Sequence, residues 1–267
     1  MSPFHVIGII NTTPDSFSDG GRYISADDAI ETALDMIEQG ADGIDVGGES
    51  TRPGAQPISP DMECERVLPV IAGIRRGHPA VPISIDTSKS VVAARAIEAG
   101  ATIINDITAG VADPAMLPLA ARLGASLILM HMQGTPRTMQ AAPTYADVVT
   151  EVRDYLAARL AAAEAAGIPR TRVILDPGIG FGKTPAHNIA LLQHLHTLVA
   201  VGAPVLVGVS RKSLIGHLLG GRDITERLEG GLALMGLAAQ QGATYFRVHD
   251  VLPTRRFLTV WQKVTGD

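Results

Sequence analysis

Asp86, Asn105, Asp176 and Lys212 are the side chains of this sequence best suited to hold a polar ligand. Two carboxylates and an amide can accept and donate along one edge of a flat heterocycle, while an ammonium meets a ring acceptor. A nitrogen-rich ring is the implied ligand. The bland alternative is an ion-pair network that caps a protein core. Charge is costly to bury, which counts against that alternative if all four groups reach one place. A second group is cationic, with Arg52, Arg247 and His249. Arginine forks bind phosphate oxygens bidentately, so a phosphate or pyrophosphate leaving group suits them. For Arg52 a solvated loop arginine fits equally well. Arg247 and His249 are two residues apart, a spacing that turns both to the same side of a strand end.

The run Asp176-Pro177-Gly178-Ile179-Gly180-Phe181-Gly182-Lys183-Thr184 looks at first like a nucleotide phosphate loop. It fails on spacing, because Pro177 stands where that motif needs its first glycine. The glycines instead suit a backbone that approaches a flat ligand, with Phe181 as a wall or as a core residue. Asn11 fits two roles, a turn former or a Mg2+ ligand, since amide and phosphate oxygens are ordinary partners of that ion.

The elements that must position these residues are visible as eight apolar runs, each stopping at polar residues before a helix-like stretch. The runs cover 6–10, 43–46, 83–85, 102–104, 126–130, 173–175, 205–209 and 244–246. Runs of this kind suit strands buried on both faces, and strands alternating with helices suit parallel βαβ units. Eight such units predict a single (β/α)8 TIM barrel over 1–267, whose C-terminal strand ends share one mouth. The candidate residues fall at those ends. Segments 11–23 and 47–57 are longer and richer in Gly, Pro and Ser than minimal connections, as expected of extended loops that act as lids or clamps at the mouth.

Helix signals agree with this reading. Ser25 and Asp28 form a capping box that predicts a helix ending at Gly40, and Ser59-Pro60 opens a second. The longest helix is expected over 146–166, with Val148, Val152, Tyr155, Leu156, Leu160 and Ala163 as its core stripe. His194 and His196 are two apart on a later helix, a poor spacing for a metal pair.

A net charge of -5, with Lys and Arg scattered, leaves no basic stripe for nucleic acid or anionic lipid. Cys64 is the only cysteine, so no internal disulfide forms. No apolar stretch approaches the ~20 residues that span a bilayer, and the first residues lack a signal-peptide pattern. A cytoplasmic enzyme acting on small molecules is the expectation.

Read together, Asn11-Thr12-Thr13-Pro14-Asp15-Ser16-Phe17-Ser18-Asp19-Gly20-Gly21, Gly48-Glu49-Ser50-Thr51-Arg52-Pro53-Gly54, Ser84-Ile85-Asp86-Thr87, Asn105-Asp106, the run from Asp176, Ser210-Arg211-Lys212-Ser213 and Arg247-Val248-His249-Asp250 resemble the dihydropteroate synthase family. The resemblance covers nearly the whole chain in the family's motif order. Thr12 and Gly231 depart from the family's common residues, at positions that carry no chemistry. The resemblance implies condensation of p-aminobenzoate with a dihydropterin diphosphate in folate biosynthesis. It implies that Asp86, Asn105, Asp176 and Lys212, with Met130, hold the pterin, and that Thr51, Arg52, Asn11, Arg247 and His249 hold the diphosphate with Mg2+ at Asn11. Phe17, Pro53, Phe181 and Ser210 would frame the aminobenzoate. The resemblance further implies that catalysis falls to Asp86, Asp176, Lys212 and Arg247, and it implies a homodimer.

Three other readings keep to the same residues. A barrel lyase or aldolase would use Lys183 or Lys212 as a Schiff base. A pterin barrel that transfers a methyl group would not need Thr51 and Arg52 beside Arg247 and His249. A pterin-binding paralogue without catalysis should have gaps in the diphosphate motifs, and there are none.

Overall fold

The computed structural model describes residues 3–13, 25–52 and 54–266. Phe17, Pro53 and most of the expected first lid therefore lie outside the described residues. Eight parallel strands run in chain order: β1 (His5–Asn11), β2 (Gly43–Gly47), β3 (Ile83–Asp86), β4 (Ile103–Asp106), β5 (Ser126–Met130), β6 (Val173–Asp176), β7 (Leu206–Val207) and β8 (Tyr245–Val248). Their order in the sheet is β6-β5-β4-β3-β2-β1-β8-β7, and a bridge between Leu175 and Val205 joins the two ends. The sheet is a TIM barrel. The helices that follow the strands are α1 (Ala26–Glu38), α2 (Pro60–Gly77), α3 (Ser90–Glu98), α4 (Met116–Leu123), α5 (Val148–Ala165), α6 (Pro185–Gln193), α7 (His196–Val199), α8 (Ser213–Leu218), α9 (Leu228–Gln240) and α10 (Val251–Thr265).

Several expected boundaries shift by a residue or two. Asn11, Asp86, Asn105 and Asp176 belong to their strands rather than following them. Parallel pairing carries on until the backbone must turn, so the polar side chains are fixed by strand hydrogen bonds. The run 205–209 contains a shorter strand than expected, because only Leu206 and Val207 pair with β8. Ser25 and Asp28 make the reciprocal capping box of α1, and Ser59 caps α2 before Pro60. In α5 the buried residues are Val148, Val152, Leu156, Leu160 and Ala163, and Tyr155 is partly buried. His194 and His196 do not share a helix, because His194 caps α6 and His196 opens α7.

Alternation along each strand divides the apolar residues between two places. Ile44, Val46, Ile83, Ile85, Ile104, Leu127, Leu129, Val173, Leu175 and Phe246 belong to the large core shared with the helices. Ile128, Ile174 and Leu206, with Ile103 and Tyr245 packed on them, form a separate small cluster that fills the barrel's interior below the mouth. Each fully buried Ile or Leu contributes about 1.5–3 kcal/mol of hydrophobic stabilisation. The interior positions one pleat further along are polar: Asp86 above Ser84, Asn105 above Ile103, Asp176 above Ile174 and Arg247 above Tyr245.

Candidate active site

Register brings the floor of the site together. Gly47 pairs with Asp86, Asp86 with Asn105, and Ile7 with Arg247. The Arg247 guanidinium donates from Nε to Asp45 Oδ2 at 2.5 Å and from Nη2 to Asp86 Oδ2 at 2.8 Å. Asn105 Nδ2 donates to Asp45 Oδ2 at 3.3 Å. Asp45 is fully buried and is the member of this network that sequence reasoning missed. The signal was there: an aspartate between Ile44 and Val46, in a strand with both faces covered, has to face a partner inside the barrel.

The network also corrects the grouping of charges. Arg247 was expected with Arg52 and His249 as a purely cationic set, yet its fork is held between two carboxylates. Burial works against its charge, and Asp45 and Asp86 more than offset that, so its pKa is raised. Burial is the largest influence on Asp86 and pushes it up to about 7; Arg247 pulls it down and Asp45 pushes it up. Asp176 is likewise raised, mainly by burial, against its hydrogen bond from Gly178 N at 2.7 Å and the charge of Lys212. Lys212 is lowered to about 8, first by burial and then by Arg247, while Asp176 and Asp86 hold it up. Four ionisable groups thus share one desolvated mouth, as a site for a polar ring requires.

His249 differs from the cationic expectation. Burial and the neighbouring Arg211 and Arg247 lower it to about 3, so it is neutral near pH 7. Ser210 Oγ accepts from the His249 amide at 3.2 Å and lies 3.1 Å from Nδ1. This pair of contacts fixes the imidazole ring against Ser210 at the end of β8. Arg52 is exposed on the loop after β2, beside Thr51. That loop is clipped at its root: Lys89 Nζ donates to Glu49 and, at 2.6 Å, to the buried Glu63, and Glu49 accepts from Ile58 N at 2.9 Å.

The loop after β6 folds close to the site because its glycines permit it. Gly178 has φ 66°, and a Cβ there would stand 2.0 Å from the carbonyl oxygen of His131; Gly182 has φ 62° and would meet Gln133 O at 2.5 Å. Phe181 lies under Lys212 Nζ, 4.2 Å from its ring centroid, a cation–π contact. Met130, almost fully buried, pairs with Asp176 in the strand register. Lys183 points elsewhere. Its Nζ is 2.9 Å from Phe181 O, 3.3 Å from His131 O and 3.0 Å from His131 Nδ1, and burial lowers it to about 7. Almost fully buried, its ammonium is spent on His131 and the backbone of the loops after β5 and β6, which counts against Lys183 in the Schiff-base reading.

Asn11 ends β1 opposite Gly47. Its side-chain oxygen and Asp86 Oδ2 each lie 3.8 Å from the point a Cβ on Gly47 would occupy, and Asp86 Oδ2 already accepts from Arg247. Hard oxygen donors of this kind suit Mg2+ completed by water and phosphate oxygens. Among the described residues no group of three or more His, Cys, Asp or Glu forms a metal cluster, and no helix is long and apolar enough to cross a membrane.

Comparison with known proteins agrees with this geometry. Residues 7–249 match the family model described as pterin binding enzyme. The dihydropteroate synthase of Escherichia coli strain K12 is 50% identical over 254 residues, 95% of this chain and 89% of that protein. A Xanthomonas albilineans dihydropteroate synthase with 4-aminobenzoic acid superposes with a TM-score of 0.91 at 46% identity, covering 99% of this chain and 94% of that one. The Xanthomonas albilineans enzyme in complex with 7,8-dihydropteroate superposes with a TM-score of 0.87 at 43% identity, over 99% and 94% of the two chains. The chain belongs to the pterin binding enzymes and, within them, to the dihydropteroate synthase family.

Proposed function

We propose that this barrel joins p-aminobenzoate to (7,8-dihydropterin-6-yl)methyl diphosphate, giving 7,8-dihydropteroate and pyrophosphate. The observation that carries the reading is the network of Asp45, Asp86, Asn105 and Arg247 facing Asp176 and Lys212 in one mouth. The 4-aminobenzoic acid and 7,8-dihydropteroate bound by the Xanthomonas relatives are the substrate class and product class of this proposal.

Asp86, Asn105, Asp176, Lys212 and Met130 hold the pterin, whose ring nitrogens and exocyclic amine match acceptors and donors on the floor. Thr51, Arg52, Arg247 and the neutral His249 receive the diphosphate. Asn11 would hold Mg2+, which when bound supplies positive charge to the departing pyrophosphate. The bond from the pterin methylene to the diphosphate oxygen breaks, and its electron pair leaves with pyrophosphate. The electron-rich ring stabilises the methylene cation, the aryl amine adds to it, and the amine proton passes to solvent. An aryl amine is nucleophilic near neutral pH, so orientation by Phe17, Pro53, Phe181 and Ser210 does more than base catalysis. A cytoplasmic homodimer completes the proposal.

The test is pyrophosphate release. Release that requires the pterin diphosphate, p-aminobenzoate and Mg2+ together is the expected result. Equal release without p-aminobenzoate would make the protein a hydrolase, and a borohydride-trapped adduct on Lys212 would favour carbonyl chemistry.

A further inference from the structure

The loop between β5 and α5 contains none of the residues assigned to substrate, yet it ties two parts of the mouth together. It is closed on itself by Gln133, whose Nε2 donates to Thr144 O at 2.8 Å while its Oε1 accepts from Thr144 N at 3.0 Å. On one side its Pro136 carbonyl accepts from Gly54 N, in the loop after β2, at 3.3 Å. On the other side it reaches the loop after β6 twice. Gln140 Nε2 donates to Gly180 O at 2.6 Å, and Tyr145 Oη donates to Gly182 O at 2.7 Å. The carbonyl between them, Phe181 O, is held by Lys183 Nζ. Three successive carbonyls around Phe181 are therefore each fixed by a side chain. Burial raises the Tyr145 hydroxyl to about 12, so it stays a donor at every working pH.

We infer that Gln140 and Tyr145 are positioning residues, which fix Phe181 through the carbonyls on either side of it and so set the width of the aminobenzoate pocket. The inference rests on the proposed function only where Phe181 meets aminobenzoate; the tethering itself does not. Neither side chain touches the floor network. Their loss should leave ring binding intact and loosen the second substrate, because a wall whose backbone wanders by a fraction of an ångström no longer holds a near-attack geometry.

Gln140 is exposed, so Gln140→Ala should fold normally. Its KM for p-aminobenzoate should rise about fivefold, the effect of losing one ordinary hydrogen bond, with the Kd of 6-hydroxymethylpterin unchanged. Gln140→Glu, the same size but repelled by the Gly180 carbonyl, should be at least as poor, and Tyr145→Phe should move KM in the same direction. Amide hydrogen exchange over 178–182 should quicken in Gln140→Ala, a readout that needs no substrate. An unmodified protein without aminobenzoate-dependent activity would sink the proposed function and leave the exchange result to decide the tethering. Unchanged KM together with unchanged exchange, or an equal loss of both substrates, would overturn the inference.

Discussion

The floor of the mouth and the loop after β6 reach the same end, fixed polar groups around a ligand space, by opposite means. On the floor, side chains from strands β2, β3, β4 and β8 hold one another through charge. In the loop it is the backbone that is held, its carbonyls capped by Gln140, Lys183 and Tyr145. Buried charges attract strongly, but each forfeits its hydration, so such a network is a weak source of net stability. Hydrogen bonds to backbone carbonyls cost less and yield more easily. The floor therefore suits a ligand bound in one orientation, and the loop suits a wall that must be firm without being costly.

The sharpest way to break this contrast is to remove the cation that two carboxylates share. Arg247→Met keeps most of the volume but takes from Asp45, fully buried, and from Asp86 the ion-pair partner they share. Unfolding free energy should fall by about 3 kcal/mol or more, as for other broken buried pairs, and 6-hydroxymethylpterin binding should fall with it. Urea denaturation measures the first. A loss under about 1 kcal/mol, the range of surface pairs, would mean that water already shares the floor and that the contrast with the loop is false.

Next in size is the pH profile of ring binding. Asp86 lies near 7 and Lys212 near 8, so the pairing of carboxylate with ammonium is fullest between those values. Below that window Asp86 takes up a proton; above it Lys212 loses one. Pterin affinity should drop by up to tenfold per pH unit on each side until the group has titrated. Calorimetry with 6-hydroxymethylpterin checks this, and Lys212→Met should abolish the alkaline limb. A flat profile would place the ring away from both groups.

The sequence carries the strand ends of this site well and its cross-connections poorly. Asp86, Asn105 and Asp176 are legible because each stops an apolar run, and a strand that stops at a polar residue aims it at the mouth. Asp45 escaped because it sits inside a run, where only the interior parity it shares with Gly43 and Gly47 gives it away. The neutrality of His249 depends on burial beside Arg211 and Arg247, which spacing does not reveal. Gln140 and Tyr145 act on backbone atoms about 40 residues away in sequence. A carbonyl acceptor has no residue signature, so contacts of that kind are invisible until the chain is folded.

The smallest expected effect separates the two ways of using a buried lysine. Lys183 and Lys212 are both lowered by burial, but Lys212 faces Asp176 and Asp86 across the mouth while Lys183 serves the loop backbone. Lys183→Met should retain catalysis, with the KM for aminobenzoate raised about threefold, near the low end for one lost hydrogen bond. Abolished turnover with normal folding would instead return Lys183 to the chemistry. Stability supplies the second readout. A lysine near 7 when folded and near its ordinary 10.4 when unfolded leaves the unfolded chain holding the extra proton between those values, so stability rises with pH across that window. Below about pH 7 both states carry the proton and the folded one bears the full desolvation cost. Lys183→Met removes that cost, so it should match or exceed the parent's stability at pH 6 and show a shallower rise toward pH 10. An equally steep rise in the variant would mean that Lys183 is solvated when folded, and that the carbonyls around Phe181 are held by Gln140 and Tyr145 alone.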